Sequence, residues 1–270
     1  MKTFEGRVAV VTGAGSGIGR SVAMELANHG VHVALVDVNR AALDETRQLL
    51  QGTGVHTSIH VIDVASREQM AGLPEQVLAE HGAVHILVNN AGVSVSHTFA
   101  DQSVDDLEWI TGINYWGVMY GCKFFLPYLL DADEAHIVNM SSSAGLTGMK
   151  GQSSYGATKF AVRGLSESLF VELARTNVGI TCVHPGAVAT NIVATARMAE
   201  DDKEKMLKFF HLSMPPEKAA RLIIRAIRKS RFKLVFCPES RLLNVMKQLA
   251  PVGTLKLLRL FNRGGATKAA

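Results

Sequence analysis

Residues 7–19 read RVAVVTGAGSGIG, an apolar run that passes directly into four closely spaced glycines. The run is apolar on both faces, which predicts a strand over residues 7–12 in a sheet covered on both sides. Glycines at this point let the backbone turn tightly and approach a pyrophosphate, which the N–H groups of a following helix stabilise. The pattern also fits a strand-to-helix turn without a ligand, and the glycines alone leave that alternative open.

Outward from this stretch, short β-branched runs alternate with longer segments of helical period as far as residue 184. Strands are predicted over residues 31–37, 55–63, 84–89, 135–140, 178–184 and 232–236. With right-handed crossovers, this alternation predicts an α/β, doubly wound Rossmann fold of about seven parallel strands flanked by helices. We expect a catalytic domain over residues 1–237, with a helical flap at about 190–214, and a basic amphipathic extension over 238–270.

Composition excludes several classes of protein. The 270 residues are 47% hydrophobic and 19% charged, which is enough apolar content for one large core and excludes a disordered or disulfide-dense chain. The net charge of +4 conceals a strong asymmetry. Residues 1–217 carry 15 basic and 23 acidic side chains, whereas residues 218–270 carry 13 basic side chains and one acid, Glu239.

The three cysteines, Cys122, Cys182 and Cys237, show no paired spacing, so a reduced cytoplasmic protein without a metal site is the simplest interpretation. The N-terminus enters a strand within a few residues and does not resemble a signal peptide. Charges or glycines interrupt every apolar run before it reaches the length of a membrane span. Any membrane contact would therefore be peripheral.

Asp37 ends the second predicted strand, about twenty residues past the glycines. A carboxylate there can accept hydrogen bonds from both ribose hydroxyls of a dinucleotide and would repel a 2′-phosphate, so the cofactor is expected to be NAD rather than NADP. Arg40 is close enough to weaken that preference, or it is simply a solvated arginine at a helix start.

Tyr155 and Lys159 are four residues apart at the start of a long predicted helix. This spacing puts the phenol and the ammonium on one helical face, where the positive charge can lower the pKa of the tyrosine. Ser142 follows the fifth strand, whose carboxyl end should deliver it to the same crevice. The three residues together predict general acid–base chemistry.

These elements resemble the short-chain dehydrogenases/reductases over about residues 5–237. The resemblance implies a catalytic tetrad of Asn114, Ser142, Tyr155 and Lys159, with Ser142 and Tyr155 also binding substrate. It implies that Asp63 and Val64 border the adenine, that Asn90 and Gly92 support the cofactor, and that Val188 and Thr190 hold the nicotinamide carboxamide. The remaining implied cofactor residues are Gly13, Ser16, Gly17, Ile18, Gly19, Asp37, Tyr155, Lys159, Pro185 and Gly186.

The expected reaction is hydride transfer between NAD and a secondary alcohol or ketone, with Tyr155 as the acid and base. Apolar residues at 93–99, at 146–149 and in the flap favour a bulky apolar substrate of lipid, steroid or terpenoid type. The alternatives are an NADPH-dependent reductase of small or acyl-chain carbonyls and a non-catalytic NAD-sensing protein. The family resemblance also implies a homodimer or homotetramer.

The extension has apolar residues at helical spacing over 241–249, then Pro251 and Gly253, which are expected to break the helix. Over residues 254–263, Lys256, Arg259 and Arg263 share one face among leucines. Such a segment can lie in a membrane interface. It can equally pack over the substrate pocket or against another subunit. Nucleic acid is disfavoured as a partner because the basic tail lacks interleaved aromatic and polar readers.

Overall fold

The computed structural model describes residues 1–211 and 213–261. The strands are β1 (Val8–Thr12), β2 (His32–Asp37), β3 (Thr57–Val61), β4 (Ile86–Asn89), β5 (Val95–Ser96), β6 (Ala135–Met140), β7 (Val178–His184), β8 (Arg197–Met198) and β9 (Lys233–Val235). The helices are α1 (Gly17–Ala27), α2 (Arg40–Leu49), α3 (Arg67–His81), α4 (Val104–Thr111), α5 (Gly117–Asp131), α6 (Ser153–Glu172), α7 (Glu200–His211), α8 (Pro216–Arg228), α9 (Pro238–Leu249) and α10 (Pro251–Phe261).

Seven of the strands form one parallel sheet in the order β3-β2-β1-β4-β6-β7-β9. The chain runs outward from β1 to β3, and then continues with β4 on the opposite side of β1. The change of direction between β1 and β4 opens a crevice at the carboxyl ends of the strands, where ligands of such sheets bind. The predicted doubly wound fold is confirmed.

Side chains from alternate positions of each strand supply two apolar layers. Ala9 and Val11 of β1 pack with α1 and α8, whereas Val8 and Val10 pack with α3, α5 and α6 on the other face. This alternation explains why β1 is apolar along its whole length. The helices on each face hold the strands in place, and the strand ends in turn position the loops that border the crevice.

Two local features differ from the sequence predictions, and a third agrees with them. A second small sheet pairs β5 with β8, two strands that are too short for an alternation pattern to reveal. The sequence predicts that a helical stretch over residues 104–130 is interrupted near 112–117, and a π-helical turn, Gly112–Trp116, joins α4 to α5 there. Pro251 begins α10 and Gly253 lies inside it, so these residues start a new helix and do not simply end the preceding one.

Two expectations concern the edges of the described chain. The predicted flap contains α7, which follows the short strand β8. Arg263, the third cation of the predicted amphipathic segment, lies outside the described residues, as does the rest of the chain after Phe261. None of the helices in residues 1–211 and 213–261 is long and apolar enough to cross a bilayer.

Candidate functional site

A cavity of about 500 Å³ lies at the carboxyl ends of the central strands. Its walls include residues that follow six strands of the large sheet, together with segments from the flap and from α9. Sixteen of the predicted site residues line it: Gly13, Ser16, Gly17, Ile18, Asp37, Asp63, Val64, Asn90, Gly92, Ser142, Tyr155, Lys159, Pro185, Gly186, Val188 and Thr190. Gly19 and Asn114 do not line the cavity; each packs against a residue that does, Gly13 and Val93 respectively.

The glycine turn leads directly into α1. Gly13 and Gly17 have φ of +66° and +54°, a backbone region that glycine adopts without a steric penalty. The N–H groups of the first turn of α1 have no acceptor within the helix, so they can bind an anion at this end. Gly19 packs against the turn: a Cβ there would lie 2.7 Å from the carbonyl carbon of Gly13 and would collide with its oxygen.

Asp37 lines the cavity beside this turn. One carboxylate oxygen accepts a hydrogen bond from Gly15 N at 3.0 Å, and the other accepts one from Asn39 N at 3.0 Å. Each oxygen retains a further lone pair that a ribose hydroxyl could use. Arg40 donates to Asp44 at 2.9 Å along α2 and does not line the cavity.

The loops after β3 and β4 form the next part of the wall. The Asn90 side chain donates to Thr12 O at 2.9 Å, and the Asn90 N–H donates to the Thr12 hydroxyl at 2.9 Å. These bonds tie the end of β4 to the end of β1. Asp63 accepts from Ala65 N at 2.9 Å, and the neighbouring Val64 side chain packs against Gly117, which has no space for a Cβ.

The structure brings Ser142, Tyr155 and Lys159 together. Tyr155 hydrogen-bonds to Ser142, whose hydroxyl also accepts from Ala144 N at 3.2 Å. The ammonium of Lys159 lies 5.7 Å from the centroid of the Tyr155 ring and donates to Met140 O at 3.0 Å. A phenol, a hydroxyl and an ammonium therefore converge at the end of β6 and the start of α6.

The electrostatics differ from the sequence prediction in one respect. Burial raises the pKa of Tyr155, and its hydrogen bond with Ser142 acts in the opposite direction. Burial also lowers the pKa of Lys159 to about 8. The net lowering of the tyrosine pKa that the spacing predicted is therefore not found in the protein alone, because burial outweighs the hydrogen bond with Ser142.

Asn114 lies in the π-helical turn and is fully buried. Its side chain accepts from Val93 N at 2.8 Å and donates to Val93 O at 2.9 Å and to the Thr158 hydroxyl at 3.3 Å. It thus links the loop after β4 to α6. A Cβ on Gly92 would lie 3.2 Å from Asn114 Oδ1 and 3.3 Å from Lys159 Nζ, so this glycine fits between the two side chains.

The loop after β7 faces the glycine turn. Thr190 contacts Gly17, where a Cβ would lie 3.1 Å from the Thr190 Cβ. Ala189 N donates to Met214 O at 3.0 Å, which holds the loop against the end of the flap. The imidazole of His184 lies 3.1 Å from Ser142 O, so the ends of β6 and β7 are joined as well.

The sequence left open whether the extension packs over the pocket, and α9 does so, although none of its residues was predicted to belong to the site. Glu239 accepts from Ala187 N at 3.1 Å, and both Glu239 and Leu243 line the cavity. A Cβ on Gly186 would lie 2.6 Å from the Ser240 hydroxyl and 2.8 Å from Cys237 Cβ, so α9 begins directly against the loop. Glu239 is the sole acid of the basic segment, and that isolation was the available signal.

The remaining wall, away from the glycine turn, is largely apolar. Of the predicted loop positions, Val93, Ser94, Ser96 and Met149 line the cavity, whereas His97 and Leu146 do not. The flap segment adds Ile192, Val193, Thr195, Ala196, Met198 and Met206. The acids of the lining are Asp37, Asp63 and Glu239.

Known proteins with the same fold and similar sequence identify the family. The profile of the short chain dehydrogenase family matches residues 7–201. SadH of Mycobacterium tuberculosis is 38% identical over 255 residues, which cover 92% of this chain and 92% of that protein. Epidermal retinol dehydrogenase 2 of Mus musculus is 35% identical over 257 residues, covering 94% of this chain and 81% of the mouse protein.

Among solved structures, a short chain dehydrogenase/reductase of Burkholderia phymatum in complex with NAD superimposes with a TM-score of 0.87. It is 31% identical, and the match covers 93% of this chain and 96% of the other. The chain therefore belongs to the short-chain dehydrogenase family, as its motifs predicted, and is an oxidoreductase of that type.

Proposed function

We propose that the protein transfers hydride between NAD and the carbinol carbon of a secondary alcohol or ketone. The observation that carries this proposal is the hydrogen-bonded pair of Tyr155 and Ser142 beside the buried ammonium of Lys159, in the wall of a cavity at the strand ends. A general acid–base residue must reach the hydroxyl of its substrate, and this pair faces the space where the substrate would lie.

Each residue has a role that follows from its contacts. Ser142 holds the substrate oxygen, and Tyr155 takes the hydroxyl proton during oxidation or returns it during reduction. Lys159 is a cation near the tyrosine ring and favours the phenolate when its own ammonium is charged. Asn114 acts at a distance, by holding Val93 and Thr158 in register behind the site. The nicotinamide, when bound, accepts or supplies the hydride.

The cleft suits a dinucleotide. The first turn of α1 offers N–H groups for the pyrophosphate, and the tight packing at Gly19 keeps the glycine turn close to the helix. Asp37 supports NAD over NADP, because its carboxylate would repel a 2′-phosphate and Arg40 is held by Asp44. The complex of the Burkholderia relative with NAD agrees with this choice. Tighter binding of NADPH than of NADH in a fluorescence titration would contradict it.

A neutral, apolar substrate fits the far end of the cavity. Flap residues such as Ile192, Val193 and Met198 supply aliphatic surface, and Glu239 would repel an anionic substrate. The mouse relative is named as a retinol dehydrogenase, and retinol is a bulky apolar alcohol. The alternative is an NADPH-dependent reductase of small or acyl-chain carbonyls, and Asp37 disfavours it because its carboxylate would repel the 2′-phosphate of NADPH.

Substitution of Tyr155 tests the reaction. We expect Tyr155→Phe to abolish turnover of secondary alcohols with NAD while NADH still binds, since the substitution removes one hydroxyl and leaves every other predicted cofactor residue unchanged. The assay is NADH absorbance with an alcohol and ketone panel, in parallel with a fluorescence titration. A wild-type chain that binds NADH and turns over none of the panel would favour the NAD-sensing alternative, and retained turnover by Tyr155→Phe would refute the role of this residue.

We also propose a homodimer or homotetramer in a reducing, cytoplasmic environment. Exposed aromatic and aliphatic side chains on α6, Phe160, Phe170 and Val171, support self-association. The thiols of Cys122, Cys182 and Cys237 are buried and unpaired, as expected of a protein kept reduced. Light scattering after size exclusion tests the oligomer, and a monomer at micromolar concentration would contradict it.

A further inference from the structure

Helices α9 and α10 expose apolar side chains, and α9 also contributes to the cavity wall. On α9, Leu242, Val245 and Leu249 are spaced three and four residues apart, so they share one side of the helix. Leu242 is 61% exposed and Leu249 is 81% exposed. On α10, Leu260 and Phe261 are 60% and 77% exposed. We call these five residues the apolar stripe.

The opposite side of α9 faces the protein. Ser240 is fully buried, Asn244 accepts from Lys233 at 2.7 Å, and Glu239 and Leu243 line the cavity. The same helix therefore contributes to the cavity wall on one side and presents the apolar stripe on another. A molecule that leaves a surface covering the stripe would have a short path to the cavity.

Helix α10 is poorly supported by the rest of the protein. Within the described residues 251–261, Thr254 is the buried residue, and its hydroxyl donates to Ala250 O at 2.8 Å. An isolated helix of 11 residues is only marginally stable in water. Three leucines and one phenylalanine of α10 are exposed: Leu255, Leu257, Leu260 and Phe261. Their exposure indicates that another surface covers α10 when the helix is stably folded.

The charged residues of α9 and α10 are basic except for Glu239, which lines the cavity. Arg241, Lys247, Lys256 and Arg259 belong to the two helices, and the sequence contains no aspartate or glutamate after Glu239. Two copies that met through this face in a symmetric contact would bring cations together. An anionic lipid surface instead accepts both the leucines and the cations.

We propose that α9 and α10 dock the protein on a lipid surface that contains anionic headgroups, and that the apolar substrate enters the cavity from that surface. The docking step stands on the stripe and its charges alone. The delivery step rests on the proposed function, because it requires an apolar alcohol or ketone as substrate.

Sedimentation of the full chain with vesicles tests the docking step. One set of vesicles is phosphatidylcholine alone, and the other contains about a third phosphatidylserine. We expect binding to the anionic vesicles and an approximately tenfold or larger loss of binding in Leu242→Ser/Leu249→Ser, since each buried leucine adds strongly to partitioning. Lys256→Glu/Arg259→Glu should lose binding to a similar degree, and added salt should weaken wild-type binding.

The matched control is Leu49→Ser/Val104→Ser, which removes two side chains of similar exposure, 52% and 68%, from other helices. It should bind vesicles as the wild type does. Failure of the wild type to bind either vesicle, or an equal loss in the control, overturns the proposal. Self-association that disappears in Leu242→Ser/Leu249→Ser, without vesicle binding, would assign the stripe to a second copy and also overturns it.

Kinetics separate this proposal from the proposed function. With a water-soluble secondary alcohol, Leu242→Ser/Leu249→Ser should retain wild-type turnover. With an apolar ketone dissolved in anionic vesicles, the same variant should show a several-fold lower rate. Absence of turnover by the wild type with every alcohol would refute the proposed function while leaving the vesicle result intact, whereas equal rates of wild type and variant on the vesicle-bound ketone would refute delivery from the lipid.

Discussion

Replacement of Asn114 by alanine should destabilise the protein more than an ordinary polar substitution does. The side chain makes two hydrogen bonds with the backbone of Val93 and one with Thr158, and it is fully buried. Each backbone group left unpaired costs about 1–3 kcal/mol when it is buried. Val93 is only half-buried, so water recovers part of this cost, and the expected loss of unfolding free energy is about 2–4 kcal/mol.

The loss can be measured as a change in melting temperature. An unfolding entropy of about 2.1 cal/mol/K per residue gives roughly 0.6 kcal/mol/K for a chain of 270 residues. The expected fall is therefore about 4–7 °C, measured by calorimetry without cofactor or substrate. Asn114→Asp should lose at least as much, because it keeps the acceptor for Val93 N but turns a second oxygen toward Val93 O.

Asn39→Ala is the matched control. Asn39 caps α2 by accepting from Ala42 N at 3.1 Å in an exposed position. Loss of such a cap costs about 1 kcal/mol, or roughly 2 °C here. The explanation of Asn114 as the residue that holds Val93 and α6 together fails if Asn114→Ala melts no lower than Asn39→Ala, or if Asn114→Asp melts with the wild type.

Three further predictions follow from other contacts. Gly19→Ala should weaken NADH binding about tenfold or more in a fluorescence titration, because its Cβ collides with the glycine turn; an unchanged Kd would contradict this. Glu239→Ala should lower kcat/KM about tenfold, because the Ala187 N–H loses the oxygen to which it donates. Glu239→Gln keeps an acceptor oxygen and should retain most of the wild-type kcat/KM; equal defects in the two variants would assign the effect to charge. Burial lowers the pKa of His136 to about 3 and of His184 to about 4, so the unfolded chain binds more protons between pH 4 and 6.5 and stability falls as the pH falls through that window. Urea denaturation should show a shallower pH slope for His136→Gln, by up to about 1.4 kcal/mol per pH unit, and an identical slope would refute the assignment.

Periodicity predicted the main sheet because its signal is repeated in every strand. The apolar runs of β1 and β2 are buried on both faces, and this burial favours apolar side chains at consecutive positions. The glycine turn could also be predicted from the sequence, since its positive φ angles exclude most other residues. Residues that follow strands in such a sheet converge at one edge, so most of the cavity wall could be listed in advance.

Features that depend on pairing between distant segments were not predictable in this way. The strands β5 and β8 are two residues long, and their pairing is visible only once the flap is placed. The contact of Glu239 with Ala187 joins residues 52 positions apart and leaves no periodic signal. The pKa of Tyr155 likewise depends on burial and on where Lys159 directs its ammonium, neither of which a spacing of four residues determines.

The docking of α9 against Gly186 has a consequence for synthesis of the chain. Every strand of the large sheet, the glycine turn and Tyr155 precede Pro238, whereas Glu239 and Leu243 complete the cavity wall afterwards. During translation, the strands and Tyr155 therefore emerge from the ribosome before α9, which completes the cavity wall. A product that stops just after β9 would keep the sheet and the acid–base group but would leave the loop at Gly186 open to water.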